Sequence, residues 1–145
     1  MQICEQGWEY LNGKCYKLVI ETKTFEEAKE NCESLGAKLA EPQSPCESDL
    51  LHYYLQITRS KDETKKHAWI GINDIDTEGT FVFASSNQGL PYTYWNPTEP
   101  SNGNGNGEDC VHLYYEKENG EWNDIPCNYQ ALSICEKPHF LVYRA

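Results

Sequence analysis

The stretch EWNDIPCNYQALSICE, Glu121–Glu136, contains two short segments with strand-like apolar and aromatic content, EWND and ALSICE. The first segment ends in Asn123 and Asp124, which offer an amide and a carboxylate oxygen, and Cys127 follows shortly after. The stretch therefore predicts strands that close the chain, with one group of oxygen-bearing side chains placed beside a cysteine.

A second group of oxygen-bearing side chains precedes this stretch, in WNPTEPSNGNGNGEDC, Trp95–Cys110. This segment ends an irregular region of about 25 residues, a length that is usually functional or disordered. Glu99, Glu108 and Asp109 supply carboxylates, and Ca²⁺ prefers such oxygen ligands. A solvated acidic loop would explain any one of these residues. Five oxygen side chains in two groups favour a cation site, since a disulfide between Cys110 and Cys127 would hold both loops together.

The composition excludes several other classes of protein. Twelve basic residues against 23 acidic ones give a net charge of -11, and no basic cluster suits a nucleic-acid backbone. No apolar run reaches the roughly 18 residues that a membrane helix needs, so no membrane insertion is expected. The first residues lack the features of a secretory signal, which fits either a removed signal or a cytosolic protein.

The cysteines favour secretion over the cytosol. Seven cysteines occur, without a C-x-x-C pair or a zinc-finger arrangement with histidine. Six of them would make three disulfides, which form in oxidising compartments, and one is left over. We therefore expect a secreted protein.

Turn and capping signals divide the first half of the chain. Asn12-Gly13 predicts a hairpin turn, and Cys4 and Cys15 flank it, so they could bridge its strands. TFEEAKENCESLG predicts a helix with Thr24 and Glu27 as a capping box and Gly36 as the stop. SPCESDLLHYYLQ predicts a second helix, with a capping box of Ser44 and Glu47 and with Pro45 in the first turn.

The apolar spacing predicts which faces of the helices are buried. In the first helix the inward face is expected to comprise Phe25, Ala28, Cys32 and Leu35. In the second helix the buried stripe is expected to comprise Leu50, Leu51, Tyr54 and Leu55, with Cys46 in the first turn and away from it. Short strands are expected after Lys66, from HAWIGI, TFVFA and DCVHLYY onward.

Taken together, these motifs resemble those of the C-type lectin domains. The resemblance rests on GWEYLNGKCY, TFEEAKENCESLGAKLAE, WIGIND, EPSNGNGNGEDC and EWNDIPCNYQALSICE, and it extends from Cys4 to Cys135. It implies an α+β fold with two helices packed on small antiparallel sheets and a long calcium- and sugar-binding loop region. It also implies one domain over residues 1–145, with a short tail from 137. LAEPQSPCESDLL looks especially like soluble bivalve mollusc lectins.

The resemblance implies three disulfides and a principal Ca²⁺ site. The implied pairs are Cys4 with Cys15, Cys32 with Cys135, and Cys110 with Cys127. Sugar-binding members complete the coordination of this Ca²⁺ with two vicinal sugar hydroxyls, which also hydrogen-bond to the metal ligands. Carried onto this chain, the ligands to metal and sugar are Glu99, Ser101, Glu108, Asn123 and Asp124.

An auxiliary Ca²⁺ site of the family maps onto Asp74, Glu78, Asn102 and Asp109. An Asp-rich turn ending at Gly79 would explain the first two residues without an ion.

Ser101 departs from the family pattern, because the third position of the E-P-N or Q-P-D triplet is usually Asn or Asp. The hydroxyl could coordinate directly, a water could bridge the gap, or Asn102 could take the position. A cis Glu99-Pro100 bond would aim the two flanking side chains the same way, although cis is the minority state. Glu99 favours mannose-, fucose- or N-acetylglucosamine-type diols over galactose-type diols.

The sequence thus predicts a non-enzymatic, secreted, calcium-dependent lectin that recognises glycans with terminal hexoses in innate immunity. The alternative within the fold is a protein-binding domain without sugar binding. A metal-dependent hydrolase is the rival from another class, and no nucleophile–base arrangement supports it. The leftover Cys46 would be inert if buried, but the first turn of a capped helix is commonly exposed, and an exposed thiol there predicts a homodimer linked through Cys46.

Overall fold

A computed structural model describes residues 3–58, 67–100, 107–114, 116 and 119–139 of the chain. Two helices and eight strands occur in these ranges. In chain order they are β1 (Glu9–Leu11), β2 (Lys14–Lys23), α1 (Phe25–Ser34), β3 (Lys38–Leu39), α2 (Pro45–Thr58), β4 (His67–Asn73), β5 (Val82–Phe83), β6 (Cys110–Tyr114), β7 (Trp122–Ile125) and β8 (Ala131–Pro138).

The strands form one mixed sheet rather than small antiparallel sheets. The strand order is β1-β2-β8-β4-β6-β7, with β3 paired to β8 and β5 paired to β4. Strands β4 and β8 run parallel, with Ala68 opposite Leu132, and the other pairs are antiparallel. Strand β8 continues to Pro138, into the segment that the sequence predicted as a tail.

The N-terminal hairpin confirms its sequence prediction. Asn12 and Gly13 both have positive φ, 46° and 95°, as the turn of a tight hairpin requires. Cys4 and Cys15 form a disulfide across it. The disulfide therefore ties the segment before β1 to β2 just beyond the turn.

Helix α1 has the predicted cap and differs at its last turn. The Glu27 N–H donates to Thr24 Oγ1 at 3.3 Å, and the Thr24 N–H donates to Glu27 Oε1 at 3.0 Å. Leu35, predicted to face inward, is 39% exposed. The helix ends at Ser34, so Leu35 is the C-cap and no longer follows the helical face, and Gly36 continues with φ 73°.

A disulfide ties α1 to the last strand. Cys32, buried in α1, is bonded to Cys135 in β8. The loop that it closes spans 103 positions of the chain, and closing so long a loop restricts the unfolded chain most.

Helix α2 buries three of the four residues predicted for its inner stripe. Leu51, Tyr54 and Leu55 are buried as expected, but Leu50 is only half-buried. Ser48 and His52 share the inner face instead. The Glu47 N–H donates to Ser44 Oγ at 3.1 Å as a cap, while the Glu47 carboxylate accepts from Lys14 Nζ at 2.7 Å.

Two clusters of buried side chains fill the domain. Trp122 lies in the cluster that packs under α2, and Trp69 lies in the cluster that packs under α1, as expected of core aromatics. Among the described residues, no helix has the length and apolarity needed to cross a membrane.

Candidate calcium and sugar site

Strand β7 carries the first part of the candidate site and is fixed from the α2 side. The Trp122 indole N–H donates to Ser48 Oγ at 3.0 Å, and Ser48 Oγ donates to the Gly120 carbonyl at 2.7 Å. The Gly120 N–H donates to Asp49 Oδ1 at 2.8 Å. A short part of α2 thus sets the position at which β7 enters the sheet.

The loop that carries Glu99 is tied to this same strand. The Trp122 N–H donates to the Tyr94 carbonyl at 2.8 Å, and the Asn96 N–H donates to the Trp122 carbonyl at 3.0 Å. The Trp95 ring packs edge-on against the Trp122 ring at 5.4 Å. The Glu99 N–H then donates to the Asn96 carbonyl at 2.8 Å.

A disulfide positions the second group of candidate ligands, Glu108 and Asp109, beside β7. Cys110, the first residue of β6, is bonded to Cys127, which follows β7. Cys110 lies directly after Glu108 and Asp109 in sequence, and it is the strand partner of Ile125. The disulfide and the β6–β7 pairing together bring these carboxylates to the end of β7 that carries Asp124.

The principal cluster contains three carboxylates. Glu99, Glu108 and Asp124 each offer an oxygen within 4.8 Å of the others, although they are far apart in sequence. Asp124 is buried, and the two glutamates are half-buried. The Glu99–Pro100 peptide is cis. Asn123 is half-buried and adjacent to Asp124 in β7. Ser101 and Asn102 lie outside the described residues.

A second cluster contains three of the residues expected at the auxiliary site. Asp74, Glu78 and Asp109 offer oxygens within 4.8 Å of one another. The Asp74 N–H donates to the Asp109 carbonyl at 2.9 Å, and Asp74 Oδ2 accepts from the Gly79 N–H at 2.8 Å. These bonds fold the turn after β4 onto the segment before β6.

The electrostatics of this second cluster are unfavourable without a cation. Burial raises the pKa of Asp74 to about 7, and the carboxyl groups of Glu78 and Asp109 add to the shift. The pKa of Asp109 is also raised, chiefly by burial. Asp74 Oδ1 and Asp109 Oδ1 are buried and have no hydrogen-bond partner among the described residues. Such orphaned oxygens fit ligands of a hard cation.

Both clusters fit Ca²⁺ by their donor chemistry, because carboxylate oxygens on loops are the ligands that this ion prefers. The sequence identified each carboxylate but missed the supporting residues Ser48, Asp49 and Gly120. No sequence signal marks them, since their role arises from contacts between α2 and β7.

Comparison with known proteins gives the family. The family model for the lectin C-type domain matches residues 21–137. Human C-type mannose receptor 2 is 33% identical over 134 residues, which are 92% of this chain and 8% of that receptor. The carbohydrate-recognition domain of cow CD23, solved in the presence of a GlcNAc2Man3 oligosaccharide, is 31% identical with a TM-score of 0.79. That match covers 97% of this chain and 100% of that chain.

The fold alone is shared more widely. A calcium-independent type II antifreeze protein is 23% identical, with a TM-score of 0.76 over 97% of this chain and 98% of that chain. The fold predicted from the sequence is confirmed by these matches. The family model and the human relative together show that this chain belongs to the C-type lectin domain family.

Proposed function

We propose that this domain binds carbohydrate through Ca²⁺, by recognising two vicinal hydroxyls of a terminal hexose. The observation that carries the proposal is the convergence of Glu99, Glu108 and Asp124 within 4.8 Å of one another. A bound Ca²⁺ would supply coordination positions for the sugar hydroxyls. Asn123, next to Asp124 on β7, is the fourth ligand in this proposal.

The ligands would also hydrogen-bond to the sugar. Ionised Glu99 and Glu108 accept bonds from hydroxyl groups, and the amide of Asn123 donates one. Charge-assisted bonds of this kind are short and directional, so they select the geometry of a diol. Glu99 favours mannose-, fucose- or N-acetylglucosamine-type sugars. Ser101 is proposed as the remaining ligand, either directly or through a water, with Asn102 as the alternative.

The second cluster is proposed as an auxiliary Ca²⁺ site. Asp74, Glu78 and Asp109 would hold the ion, and Asn102 would join them. The raised pKa of Asp74 supports this, because a cation would relieve the cost of ionising a buried carboxyl group beside other carboxyl groups. An ion here would also fix the segment that leads to Glu108.

We further propose that the protein is a secreted lectin of innate immune recognition, with one carbohydrate-recognition domain over residues 1–145. Three disulfides support an oxidising compartment. The chain corresponds to 8% of the length of the receptor that it matches, so the role of that whole protein is not transferred to it. The immune role rests on the proposed resemblance of LAEPQSPCESDLL to soluble bivalve lectins, and exposed Cys46 supports a homodimer. C-type lectin domains are generally not enzymes.

A protein-binding domain without sugar recognition is the second candidate. Ser101 favours it, because the family usually places Asn or Asp at this triplet position. The other four candidate ligands favour the lectin, because each has the residue type that sugar-binding members use; they are Glu99, Glu108, Asn123 and Asp124. The two candidates differ in whether a free monosaccharide binds the site together with Ca²⁺.

Retention on immobilised mannose and galactose tests the proposal. We expect retention on mannose in calcium, elution by a chelator, and no retention of Glu99→Ala. Glu26→Ala is the matched control, because Glu26 is an exposed carboxylate on α1 outside both clusters. Retention of Glu99→Ala in calcium would show that Glu99 is not a ligand. If the wild-type protein stays on the column in chelator as it does in calcium, its sugar binding does not depend on Ca²⁺.

A further inference from the structure

Helix α2 carries an apolar stripe on its outer face. Tyr53 and Ile57 are each 55% exposed, and Leu50 is half-buried between them and Cys46. The thiol of Cys46 is exposed, whereas the other six cysteines are in disulfides. Within the part of the chain that the structure describes, the stripe is thus an exposed apolar surface with a thiol at its N-terminal end.

The spacing of these four residues places them in one line along the helix. Cys46, Leu50, Tyr53 and Ile57 are separated by steps of four, three and four positions. At about 100° per residue they fall within roughly 60° of the helix circumference. This is the spacing of the a and d positions of a coiled coil. The face that α2 buries against its own domain lies on the other side of the helix.

The charges beside the stripe are directed onto the domain itself. The Glu47 carboxylate accepts from Lys14 Nζ at 2.7 Å. The Asp49 carboxylate accepts from the Tyr94 hydroxyl at 2.9 Å and from the Gly120 N–H at 2.8 Å. Both carboxylates already have partners within their own domain. A second apolar surface can therefore approach the stripe without burying either carboxylate as an unpaired charge.

We propose that the occupant of this surface is a second copy of the chain, with the two α2 helices parallel and in register about a two-fold axis. The inference rests on the proposed homodimer and specifies its interface. Cys46 would be bonded to the partner's Cys46, while Leu50, Tyr53 and Ile57 each meet their own counterparts. A symmetric dimer uses the same patch on both copies, as a two-fold axis requires.

The disulfide selects the parallel arrangement. A disulfide holds two Cα atoms about 4.4–6.8 Å apart. Cys46 lies about 16 Å along the helix from Ile57, at about 1.5 Å per residue. Antiparallel helices that superpose their stripes would place each thiol beside the other copy's Ile57 and too far from the other thiol. Only parallel helices superpose the two stripes and also bring the two Cys46 thiols close enough to bond.

The covalent bond forms by exchange with a small-molecule disulfide such as oxidised glutathione. One Cys46 thiolate attacks that disulfide and releases one small thiol, which leaves a mixed disulfide on the protein. The second Cys46 thiolate attacks the protein sulfur of the mixed disulfide and releases the second small thiol. Two small thiols therefore carry away the electrons and protons, and the oxidant is reduced.

The stripe alone is too small for a stable dimer. Stable interfaces bury about 800 Å² per partner, and four side chains on about three helical turns offer less. Once the disulfide has formed, the apolar contacts between the two helices become intramolecular. Before it forms, the same contacts raise the effective concentration of one Cys46 thiol near the other. The two features are expected to depend on each other.

The test measures the dimer constant in a glutathione redox buffer with chelator, so that calcium and sugar play no part. Non-reducing gels and intact mass separate the 16.7 kDa monomer from a dimer of twice that mass. We expect the wild-type protein to dimerise and Cys46→Ser to stay monomeric. Ile57→Glu should lower the dimer constant at least tenfold, although it lies far from the thiol.

Ile20→Glu is the matched control, because Ile20 is 49% exposed and belongs to β2 rather than to the α2 stripe. It should leave the dimer constant within about twofold. A dimer of wild-type protein with equal constants for Ile57→Glu and Ile20→Glu would refute the interface and leave the homodimer standing. A wild-type monomer capped by glutathione would refute both.

The direction of the helices has its own test. Ile57→Cys in the Cys46→Ser background should form a disulfide dimer, because parallel helices bring the two copies of residue 57 together. A strictly monomeric product under the same redox conditions would overturn the parallel arrangement.

Discussion

The backbone N–H of Asn96 donates a hydrogen bond to the backbone carbonyl of Trp122 at 3.0 Å. This bond joins the loop that carries Glu99 to the strand that carries Asn123 and Asp124. The remaining carboxylate, Glu108, reaches the same point through the Cys110–Cys127 disulfide. The candidate calcium ligands therefore lie on three segments, which backbone hydrogen bonds and this disulfide hold together, and each segment can be perturbed separately.

Asp124 is expected to be a principal ligand, so Asp124→Asn should weaken Ca²⁺ binding. The substitution keeps the shape of the side chain and removes the charge, and the number of charged ligands sets calcium affinity. We expect a loss of at least about tenfold, or roughly 1.4 kcal/mol, by isothermal titration calorimetry. Asp76→Asn, at an exposed carboxylate outside both clusters, should bind like the wild type. Equal affinities of the two variants would contradict the assignment.

Asp74→Asn should have opposite effects with and without calcium. Burial raises the pKa of Asp74 to about 7, so the ionised side chain destabilises the calcium-free fold, and stability is lost as pH rises from about 4 to 7. In chelator at pH 7.5, the variant should therefore melt about 2–5 °C higher than the wild type.

In excess calcium the order should reverse, since the variant lacks a charged ligand. Differential scanning calorimetry in both conditions checks this pair of outcomes. An Asp74→Asn protein that gains as much stability from calcium as the wild type would show that Asp74 does not hold an ion.

Gly120 is expected to tolerate no side chain. A Cβ atom there would lie 2.2 Å from the carbonyl oxygen of Ser48, which belongs to the backbone of α2. Gly120→Ala should cost about 2–4 kcal/mol of unfolding free energy, measured by urea denaturation. Gly89→Ala is the control, because a Cβ atom at Gly89 would contact nothing within 4 Å. If both variants unfold at the same urea concentration, the space between α2 and Gly120 admits a methyl group and the prediction is wrong.

His112 should make the fold sensitive to acid. Burial, with a smaller effect from the neighbouring His67, lowers the pKa of His112 to about 3. In the unfolded chain His112 is protonated below about pH 6.5, whereas in the folded chain it stays neutral down to about pH 3. The free energy of unfolding therefore falls as pH drops from 6.5 toward 3. The slope is at most about 1.4 kcal/mol per pH unit.

His112→Phe should flatten this slope, as measured by urea denaturation in chelator between pH 7 and 4.5. A variant with the same pH dependence as the wild type would assign the acid sensitivity to other groups.

Local signals in the sequence predicted much of the fold. Thr24 and Glu27 predicted the start of α1, and Asn12-Gly13 predicted the hairpin, because capping and turn chemistry depend only on neighbouring residues. Leu35 was predicted wrongly, because the helical pattern continues in sequence past the residue at which the helix ends. Its exposure follows from the stop at Gly36.

Long-range arrangements escaped prediction from the residues alone. The disulfide pairing came from family resemblance, since cysteine spacing by itself leaves many pairings open. Asp49 received no role, because its partners Tyr94 and Gly120 are distant in sequence. The parallel β4–β8 pairing likewise depends on how the middle of the chain crosses the sheet. The sequence named the candidate ligands as groups, and the contacts that bring their carboxylates together required the structure.

A glycan array probed in calcium and again in chelator tests the central claim most directly, because it reads ion dependence and sugar preference together. We expect binding to terminal mannose, fucose or N-acetylglucosamine in calcium, and loss of that binding in chelator. Absence of glycan binding in calcium, or binding that the chelator leaves unchanged, would contradict the account.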